Sequence, residues 1–189
     1  MPGARLLARV PNFLRGTLVP RLDAGDRALF LRCALLETTP RVARLFWTVL
    51  THLGGSTASI AAATLPLFMG KALHDAALHD AAVHATATLV LSHLVVQLIK
   101  RTVGRPRPSC RTASTALAAE PDRFSFPSGH SAAAMSVALA YALAFPALAT
   151  PLLIVAGLVG MSRVFLGVHY PGDVLMGQLI AALVGLGLR

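Results

Sequence analysis

The stretch that decides the fold is AAVHATATLVLSHLVVQLIK, residues 81–100. Its first nineteen residues contain no aspartate, glutamate, lysine or arginine, and Lys100 ends the run. At 1.5 Å per residue, a helix of this length is about as long as the ~30 Å hydrocarbon core of a bilayer is thick. The run is therefore typical of a transmembrane helix that ends in a cation.

The rest of the chain extends this pattern. Its 189 residues are 55% hydrophobic and only 13% charged, with a mean hydropathy of +0.66, which is more apolar than a soluble domain of this size can bury. Five apolar runs occur, at residues 45–69, 81–99, 131–149, 151–168 and 174–188. The last is short, and we expect it to begin at Pro171, because proline suits a first helical position. The predicted fold is all-α, a polytopic membrane bundle of about five transmembrane helices within residues 45–189.

Residues 1–44 form a separate, arginine-rich N-terminal segment in this prediction. Within it, residues 22–44 mix leucines with charges and are expected to form an amphipathic helix at the membrane interface. No signal peptide is expected in residues 1–20, where arginines and prolines interrupt any apolar core; an organellar transit peptide is the alternative. Cys33 and Cys110 form no spacing motif, so neither a disulfide framework nor a metal knuckle is expected.

The basic residues indicate an orientation. Eight of the seventeen precede the first apolar run, and six more follow the second. Two crossings separate these regions, so both lie on one side of the membrane, which the positive-inside tendency makes cytoplasmic. We expect a multi-pass protein of a bacterial cytoplasmic membrane. A nucleic-acid partner is not expected, because the chain offers no soluble basic face with aromatic residues for base stacking.

Unusual polar residues collect at the ends of the runs on that same side. Lys100, Arg107 and Arg163 supply cations, and His130, His169 and Asp173 supply titratable groups. Charged residues at membrane helices are expensive and are functional candidates by default. Because arginine can grip phosphate oxygens in a bidentate fork, a cluster of three cations and two histidines suits a phosphoryl group.

The stretch FPSGHSAAAM, residues 126–135, supplies a second anion-binding feature. Its turn precedes an apolar helix, so backbone N–H groups and the positive end of the helix dipole face outward, and Gly129 lets an anion come close. His130 is then placed to protonate a departing oxygen. Asp173, four residues after His169, can hold that imidazole in one tautomer and leave its other nitrogen free to attack phosphorus.

These residues follow a spaced pattern. Lys100 and six residues precede Arg107-Pro108; then comes Pro127-Ser128-Gly129-His130; then Ser162-Arg163, five residues, His169, three residues and Asp173. The pattern resembles the three-part signature of the type 2 phosphatidic acid phosphatase family. That resemblance implies His169 as a nucleophile that forms a phosphohistidine, Asp173 as its partner and His130 as the acid for the leaving group. It further implies a phosphate site without metal or other cofactor, formed by Lys100, Arg107, Ser128, Gly129 and Arg163.

The resemblance implies an enzyme whose partner is a lipid phosphate or diphosphate in the bilayer. The candidate substrates are phosphatidate, phosphatidylglycerophosphate, prenyl phosphates and diphosphates, and lipid A. The sequence pattern indicates no particular oligomeric state. Six-span bacterial members of that family carry the site on the outer face, whereas five runs place it on the cytoplasmic face here. A vanadium haloperoxidase-like enzyme and a catalytically inactive lipid-phosphate-binding protein are the alternatives.

Structural roles are expected for the other polar residues and for the glycines. Four loop arginines match no signature position and are expected to be surface charge: Arg101, Arg105, Arg111 and Arg123. His74, His79 and His84 are five residues apart, so they do not share one helix face, and a polar helix start is favoured over a metal site. Gly54 and Gly55 are expected to allow close helix packing.

Overall fold

The computed structural model describes residues 19–110, 116–120 and 122–189, and seven α-helices account for most of them. These helices are α1 (Val19–Cys33), α2 (Arg41–Leu53), α3 (Ser56–Ala72), α4 (Ala76–Val103), α5 (Gly129–Ala144), α6 (Ala149–Phe165) and α7 (Pro171–Gly187). Short 3₁₀ turns lie at Pro108–Cys110 and Pro146–Leu148. The described part of the chain is therefore all-α, as predicted.

Apolar side chains cover the outside of this bundle, while several charged ones lie inside it. Leu65, Phe68, Leu98 and Leu183 are each more than half exposed, as are many others of their kind. A soluble protein rarely presents so much contiguous apolar surface, and a bilayer is the solvent that accepts it. The distribution of polarity thus agrees with a membrane protein.

Among the described residues, two helical segments are long and apolar enough to cross a bilayer, namely α4 and the stretch Pro146–Phe165. The pair α2 and α3 counts as a third span if its two halves act together. Helices α5 and α7 are apolar but have only 16 and 17 residues. Each of the five apolar runs therefore lies largely in helix, although the run 131–149 breaks after Ala144, and by length two or three of these helices are spans.

The first run is not the single helix that we expected. It breaks at Gly54–Gly55, where α2 and α3 meet at a bend of 46°. A Cβ on Gly54 would lie 2.8 Å from the carbonyl oxygen of His130 and 2.5 Å from Cγ1 of Val159, so only glycine permits this approach. The expected close packing at these glycines is confirmed, and it is achieved by a break in the helix.

Helix α5 is the centre of the bundle and packs against α3, α4, α6 and α7. Its buried positions are all small residues: Ser131, Ala132, Ser136, Ala138, Ala140 and Ala142. Small residues let helix backbones approach closely, and the hydroxyl groups of Ser136 and Ser92 of α4 lie 2.8 Å apart at this contact. This packing fixes the N-terminal end of α5, where the PSGH turn lies.

Helix α1 is shorter than predicted and contacts the bundle. It ends at Cys33 instead of continuing to residue 44, and a new helix begins at Arg41 after Pro40. Phe30 is fully buried and meets the Tyr170 ring edge-on, with centroids 5.4 Å apart. The helix therefore packs against the ends of α6 and α7.

The histidine-rich segment lies at the start of α4 and serves helix packing. Asp75 caps this helix by accepting a hydrogen bond of 3.0 Å from the Leu78 N–H. Nδ1 of His79 lies 3.1 Å from the Leu67 carbonyl oxygen, and Nε2 of His84 lies 2.8 Å from that of Gly185. No group of three potential metal ligands occurs among the residues that the structure describes, and a polar helix start accounts for the motif.

Candidate active site

The residues singled out from the sequence meet at one end of the bundle. They come from the last turn of α4, the extended segment after it, the first turn of α5, the end of α6, the loop that follows α6 and the first turn of α7. Six of these residues are at most 3% exposed: Lys100, Arg107, Ser128, Arg163, His169 and Asp173. Gly129 and His130 are half-buried. Residues that are distant in sequence therefore converge on one buried, highly charged region.

His169 and Asp173 form a pair at the start of α7. Pro171 begins that helix and Tyr170 caps it, so Asp173 falls in the first turn, where the helix dipole favours a carboxylate. Oδ2 of Asp173 accepts a 2.8 Å hydrogen bond from the Tyr170 N–H and another from the Ser125 hydroxyl, and lies 3.5 Å from Nδ1 of His169. Burial lowers the pKa of His169 more than the carboxylate raises it, so the imidazole is neutral at pH 7.

Arg107 faces the other nitrogen of this imidazole. Its Nη1 lies 3.3 Å from Nε2 of His169 and donates to the Val168 carbonyl at 2.8 Å. Its Nε donates to the Asp122 carbonyl at 2.6 Å. The guanidinium is thus fixed beside the nitrogen that Asp173 does not face.

Asp122 was not anticipated from the sequence and joins two of the predicted cations. Its carboxylate lies 2.9 Å from Nζ of Lys100 and 3.2 Å from Nη2 of Arg107. Desolvation raises the pKa of Asp122, but the hydrogen bond and charge of Lys100, with the charge of Arg107, bring it below its usual value. Asp122 therefore stays ionised and orients Lys100 and Arg107.

Arg163 has an unusual set of partners. Its Nη1 donates a 2.7 Å hydrogen bond to Oγ1 of Thr51, a residue of α2 that no signature included. Its Nε and Nη2 are buried and have no partner within residues 19–110, 116–120 and 122–189. Since a buried donor without a partner costs free energy, an anion at this position would satisfy both nitrogens. The site thus fits a ligand with negatively charged oxygens.

The PSGH turn presents a helix N-terminus to the same region. Ser128 caps α5, with its hydroxyl oxygen 2.9 Å from the Ser131 hydroxyl, and its own N–H donates to the Asp173 carbonyl at 2.9 Å. The next N–H groups, of Gly129 and His130, belong to a first helical turn and have no helical acceptor. Open space surrounds Gly129 where a side chain would begin. The N–H groups of Gly129 and His130 are therefore available to an anion, whereas the Ser128 N–H is already bonded to Asp173.

His130 lies between the bend of α2 and α3 and the cluster of cations. A Cβ on Gly55 would lie 3.9 Å from Nε2 of His130. Lys100, Arg107, Arg163 and His169 are all close enough to His130 to interact with it electrostatically. The two histidines therefore belong to one site.

The expectation that Arg105 is surface charge is wrong. Its side chain is 16% exposed, and its Nη1 lies 2.6 Å from Oδ1 of Asp173. Arg101 and Arg123 are exposed, as expected, whereas Arg111 lies outside the described residues. Sequence reasoning also missed Thr51 and Ser125, because a lone hydroxyl carries no signal until its neighbours are known.

Comparison with known proteins identifies the family. The sequence model of the PAP2 superfamily matches residues 81–189, which include every signature position above. The chain belongs to the PAP2 superfamily. Helices α1, α2 and α3 lie before the matched PAP2 region, so Thr51 and the contacts of α1 come from outside it.

Curated PAP2 relatives match about half of the chain. It is 38% identical over 95 residues to the lipid A 1-phosphatase of Rhizobium etli, which covers 48% of this chain and 41% of the relative. It is also 38% identical over 95 residues to the decaprenylphosphoryl-5-phosphoribose phosphatase of Mycobacterium tuberculosis, covering 50% and 52%. The chain thus spans about half the length of these relatives or less.

Solved PAP2 structures match more of the chain. Aquifex aeolicus LpxE superposes with a TM-score of 0.71 at 24% identity, over 84% of this chain and 91% of that protein, which shows the fold alone. The transmembrane PAP2-type phosphatidylglycerolphosphate phosphatase of Bacillus subtilis gives a TM-score of 0.68 at 26% identity, over 89% and 86%. The bundle described above is therefore the fold of membrane PAP2 phosphatases.

Proposed function

We propose that this PAP2 protein is an integral-membrane phosphatase that removes the terminal phosphate from a lipid phosphate or diphosphate through a phosphohistidine on His169. The observation that carries the proposal is Arg163, two of whose buried nitrogens lack partners among the residues that the structure describes, beside a neutral, buried histidine paired with a carboxylate. Such an arrangement suits an anion that is attacked by nitrogen.

In the first step, the lone pair on Nε2 of His169 attacks phosphorus. The N–P bond forms while the bond from phosphorus to the lipid oxygen breaks, and His130 donates a proton to that leaving oxygen. Asp173 accepts the hydrogen bond from Nδ1–H and stabilises the positive charge that the ring acquires. The products of this step are the dephosphorylated lipid and phosphohistidine.

In the second step, water attacks the phosphohistidine. His130, which has given up its proton, now accepts one from the water as the new O–P bond forms and the N–P bond breaks. Inorganic phosphate leaves and both histidines return to their starting forms. The three phosphoryl oxygens are held throughout by Lys100, Arg107 and Arg163 with the N–H groups of the PSGH turn. In this proposal these fixed charges take the electrostatic role, and no metal is required.

The location of the site suits a substrate anchored in the bilayer. The cluster lies at the ends of helices whose outer faces are apolar, so a headgroup can enter while the lipid tail stays beside those faces. The relatives named above act on lipid A and on a decaprenyl-linked phosphate, which agrees with this class. We place the site on the cytoplasmic face, in a bundle of about five membrane helices with α1 at the interface.

A cavity beside the site can receive the remainder of the headgroup. Its volume is about 260 Å³, and it is lined by Arg41, Arg44, Leu45, Thr48 and Leu117. Thr48 lies one turn before Thr51, the partner of Arg163, and the Leu117 N–H donates to the Leu166 carbonyl in the loop of His169. Arg41 and Arg44 bring two positive charges to this lining, so the cavity favours an anionic headgroup.

The test is phosphate release by purified protein in detergent, with a chelator present, on a panel of lipid phosphates and diphosphates. We expect release by the wild type and none by His169→Ala, with His93→Ala, an exposed histidine of α4, as the matched control. Loss of activity with the chelator would contradict metal independence, and full activity of His169→Ala would contradict the nucleophile. Oxidation of bromide with vanadate and peroxide would instead favour the haloperoxidase alternative. Binding of a lipid phosphate without release of phosphate would favour the catalytically inactive lipid-phosphate-binding protein.

A further inference from the structure

Arg105 lies behind the proposed nucleophile and makes contacts that the phosphatase signature does not assign. Its Nη1 lies 2.6 Å from Oδ1 of Asp173 and 2.7 Å from Oδ2 of Asp26, and its Nη2 lies 2.8 Å from Oδ1 of Asp23. Its guanidinium also stacks over the Tyr170 ring, 4.1 Å from the centroid. One side chain thus joins the partner of the nucleophile to two carboxylates of α1.

The backbone explains why Arg105 and Arg107 take different partners. Pro106, between them, forms an antiparallel bridge with Phe124, so this segment is locally extended. In a straight extended chain, side chains two residues apart point to the same face. Prolines flank Arg107 and restrict the backbone on both sides of it, so Arg105 and Arg107 need not share a face. Arg107 reaches the Nε2 side of His169, and Arg105 reaches the far oxygen of Asp173. The two arginines therefore hold opposite ends of the pair.

The hydrogen bonds of Asp173 divide between its two oxygens. Oδ2 accepts from Ser125 and the Tyr170 N–H and faces His169, while Oδ1 is engaged by Arg105. Because Asp173 is fully buried, these donors decide where its carboxylate points. Arg105 supplies the charged one, and charge-assisted hydrogen bonds are about twice as strong as neutral ones.

Helix α1 in turn holds Arg105 in place. Besides its contact with Arg105, Asp26 accepts a 2.7 Å hydrogen bond from the N–H of Gly172, the residue before Asp173. A Cβ on Gly172 would lie 2.9 Å from Oδ2 of Asp26, so this position is fitted to that carboxylate. Asp23 completes the set and also pairs with Arg27 at 2.8 Å. Two acidic residues of α1 therefore keep the guanidinium directed at Asp173.

We infer that Arg105 is a positioning residue that sets the carboxylate of Asp173 for the reaction, and that Asp23 and Asp26 of α1 hold Arg105 for this task. The inference rests on the proposed phosphatase function. Arg105 acts on phosphate only through Asp173 and His169, so its loss affects turnover and leaves phosphate binding nearly intact. Helix α1 thereby contributes to the geometry of the site.

The experiment is a double-mutant cycle on phosphate release. We expect Arg105→Gln to lower kcat roughly ten- to a hundredfold, the range for a lost charge-assisted hydrogen bond, with KM changed less than about threefold. In an Asp173→Asn background, which we expect to retain weak activity, Arg105→Gln should have little further effect. Asp23→Asn with Asp26→Asn should lower kcat in the same direction, and Arg105→Lys should restore part of the loss. Arg101→Gln, an exposed arginine of α4, is the matched control.

Three results would overturn the inference while leaving the proposed function in place. Equal fold losses in the wild-type and Asp173→Asn backgrounds would mean that Arg105 acts independently of Asp173. A large rise in KM with kcat unchanged would make Arg105 a substrate ligand. An active wild type with an equally active Arg105→Gln would leave the proposed function intact and remove the inference alone. A folded wild type that releases no phosphate from any substrate would overturn the proposed function, and the inference with it.

Discussion

Arg163 reaches across the bundle from α6 to Thr51 of α2, and its Nη1 donates a hydrogen bond of 2.7 Å to the threonine hydroxyl. The other guanidinium nitrogens have no partner in the described part of the chain. A residue outside the matched PAP2 region therefore orients one of the signature cations.

The first prediction concerns this hydrogen bond. Thr51→Val keeps the shape of the side chain but removes the acceptor, so the Arg163 guanidinium loses the hydrogen bond that orients it inside a buried site. A hydrogen bond to a charged group contributes about 1.5–3 kcal/mol, and kcat/KM should fall roughly ten- to a hundredfold. Steady-state kinetics on the best lipid phosphate measures this. Thr64→Val is the control, because the Thr64 hydroxyl donates to the Ile60 carbonyl of its own helix. Equal activity in both variants would contradict the role of Thr51.

A second prediction concerns the close approach of α7 to the PSGH turn. A Cβ on Gly177 would overlap the carbonyl oxygen of Ser128 and lie 3.4 Å from the Ala132 nitrogen. Because backbone cannot yield as a flexible side chain does, Gly177→Ala should push α7 away from the turn, lowering both the melting temperature and kcat. Gly157→Ala is the matched control, since nothing lies within 4 Å of its new methyl group. Thermal unfolding in detergent and phosphate release measure the two effects, and wild-type behaviour of Gly177→Ala would refute the packing argument.

A third prediction follows from the ion pairs of Asp122. The pKa of this carboxyl is lower in the folded protein than its ordinary value of 3.8. Ionised Asp122 therefore stabilises the folded protein above pH 3.8, and this stabilisation is lost as the pH falls through the lower pKa of the folded state. The wild type should therefore melt at a higher temperature than Asp122→Asn at pH 5 to 7, and the difference should narrow below about pH 4. Melting curves across this range measure it. A difference that stays constant down to pH 3 would show that Asp122 contributes through packing instead of charge.

The cavity beside the site gives a fourth prediction. If Arg44 contacts the headgroup beyond the scissile phosphate, Arg44→Gln should raise KM for lipids with a second phosphate or diphosphate more than for phosphatidate. The measurement is the ratio of the KM of Arg44→Gln to that of the wild type, determined for each substrate. Arg32→Gln, an exposed arginine of α1, should change neither value. Equal effects of Arg44→Gln on all substrates would argue against headgroup contact.

A fifth prediction concerns the side of the membrane. Cys110 is an exposed thiol in the loop that carries Arg107, and Cys33→Ala would leave it as the one cysteine of the sequence. A cytoplasmic site predicts that a membrane-impermeant maleimide labels Cys110 only after cells are opened. Rapid labelling of intact cells would place this loop, and the site, on the outer face.

Much of the site was predictable because its chemistry is carried by charged residues in an apolar chain. Lys100, Arg107, Arg163 and Asp173 stand out against their surroundings, and their side chains are all buried in the structure. Their catalytic and binding roles remain predictions. Helices α4 to α7 were predictable for a similar reason, since long apolar runs form helices in a bilayer.

The features that were missed depend on tertiary contacts. The bend at Gly54–Gly55 arises because the start of α5 comes within contact distance, which a hydropathy pattern cannot express. The sequence around Arg105 resembles that around an exposed loop arginine. In the fold, however, α1 brings two carboxylates into contact with it. The length of α1 was overestimated, because the charged and apolar residues of α1 and of the start of α2 merge into one pattern in sequence.

The hydrogen bond from the Ser128 N–H to the Asp173 carbonyl has a mechanical consequence. It ties the turn that opens α5 directly to the first turn of α7, which carries the partner of the nucleophile. Membrane helices tilt to match bilayers of different thickness, and such tilting changes the separation of their ends. Because these two ends are bonded to each other, we expect the distance from His169 to the anion-binding turn to stay constant while the rest of the bundle adapts to its lipids.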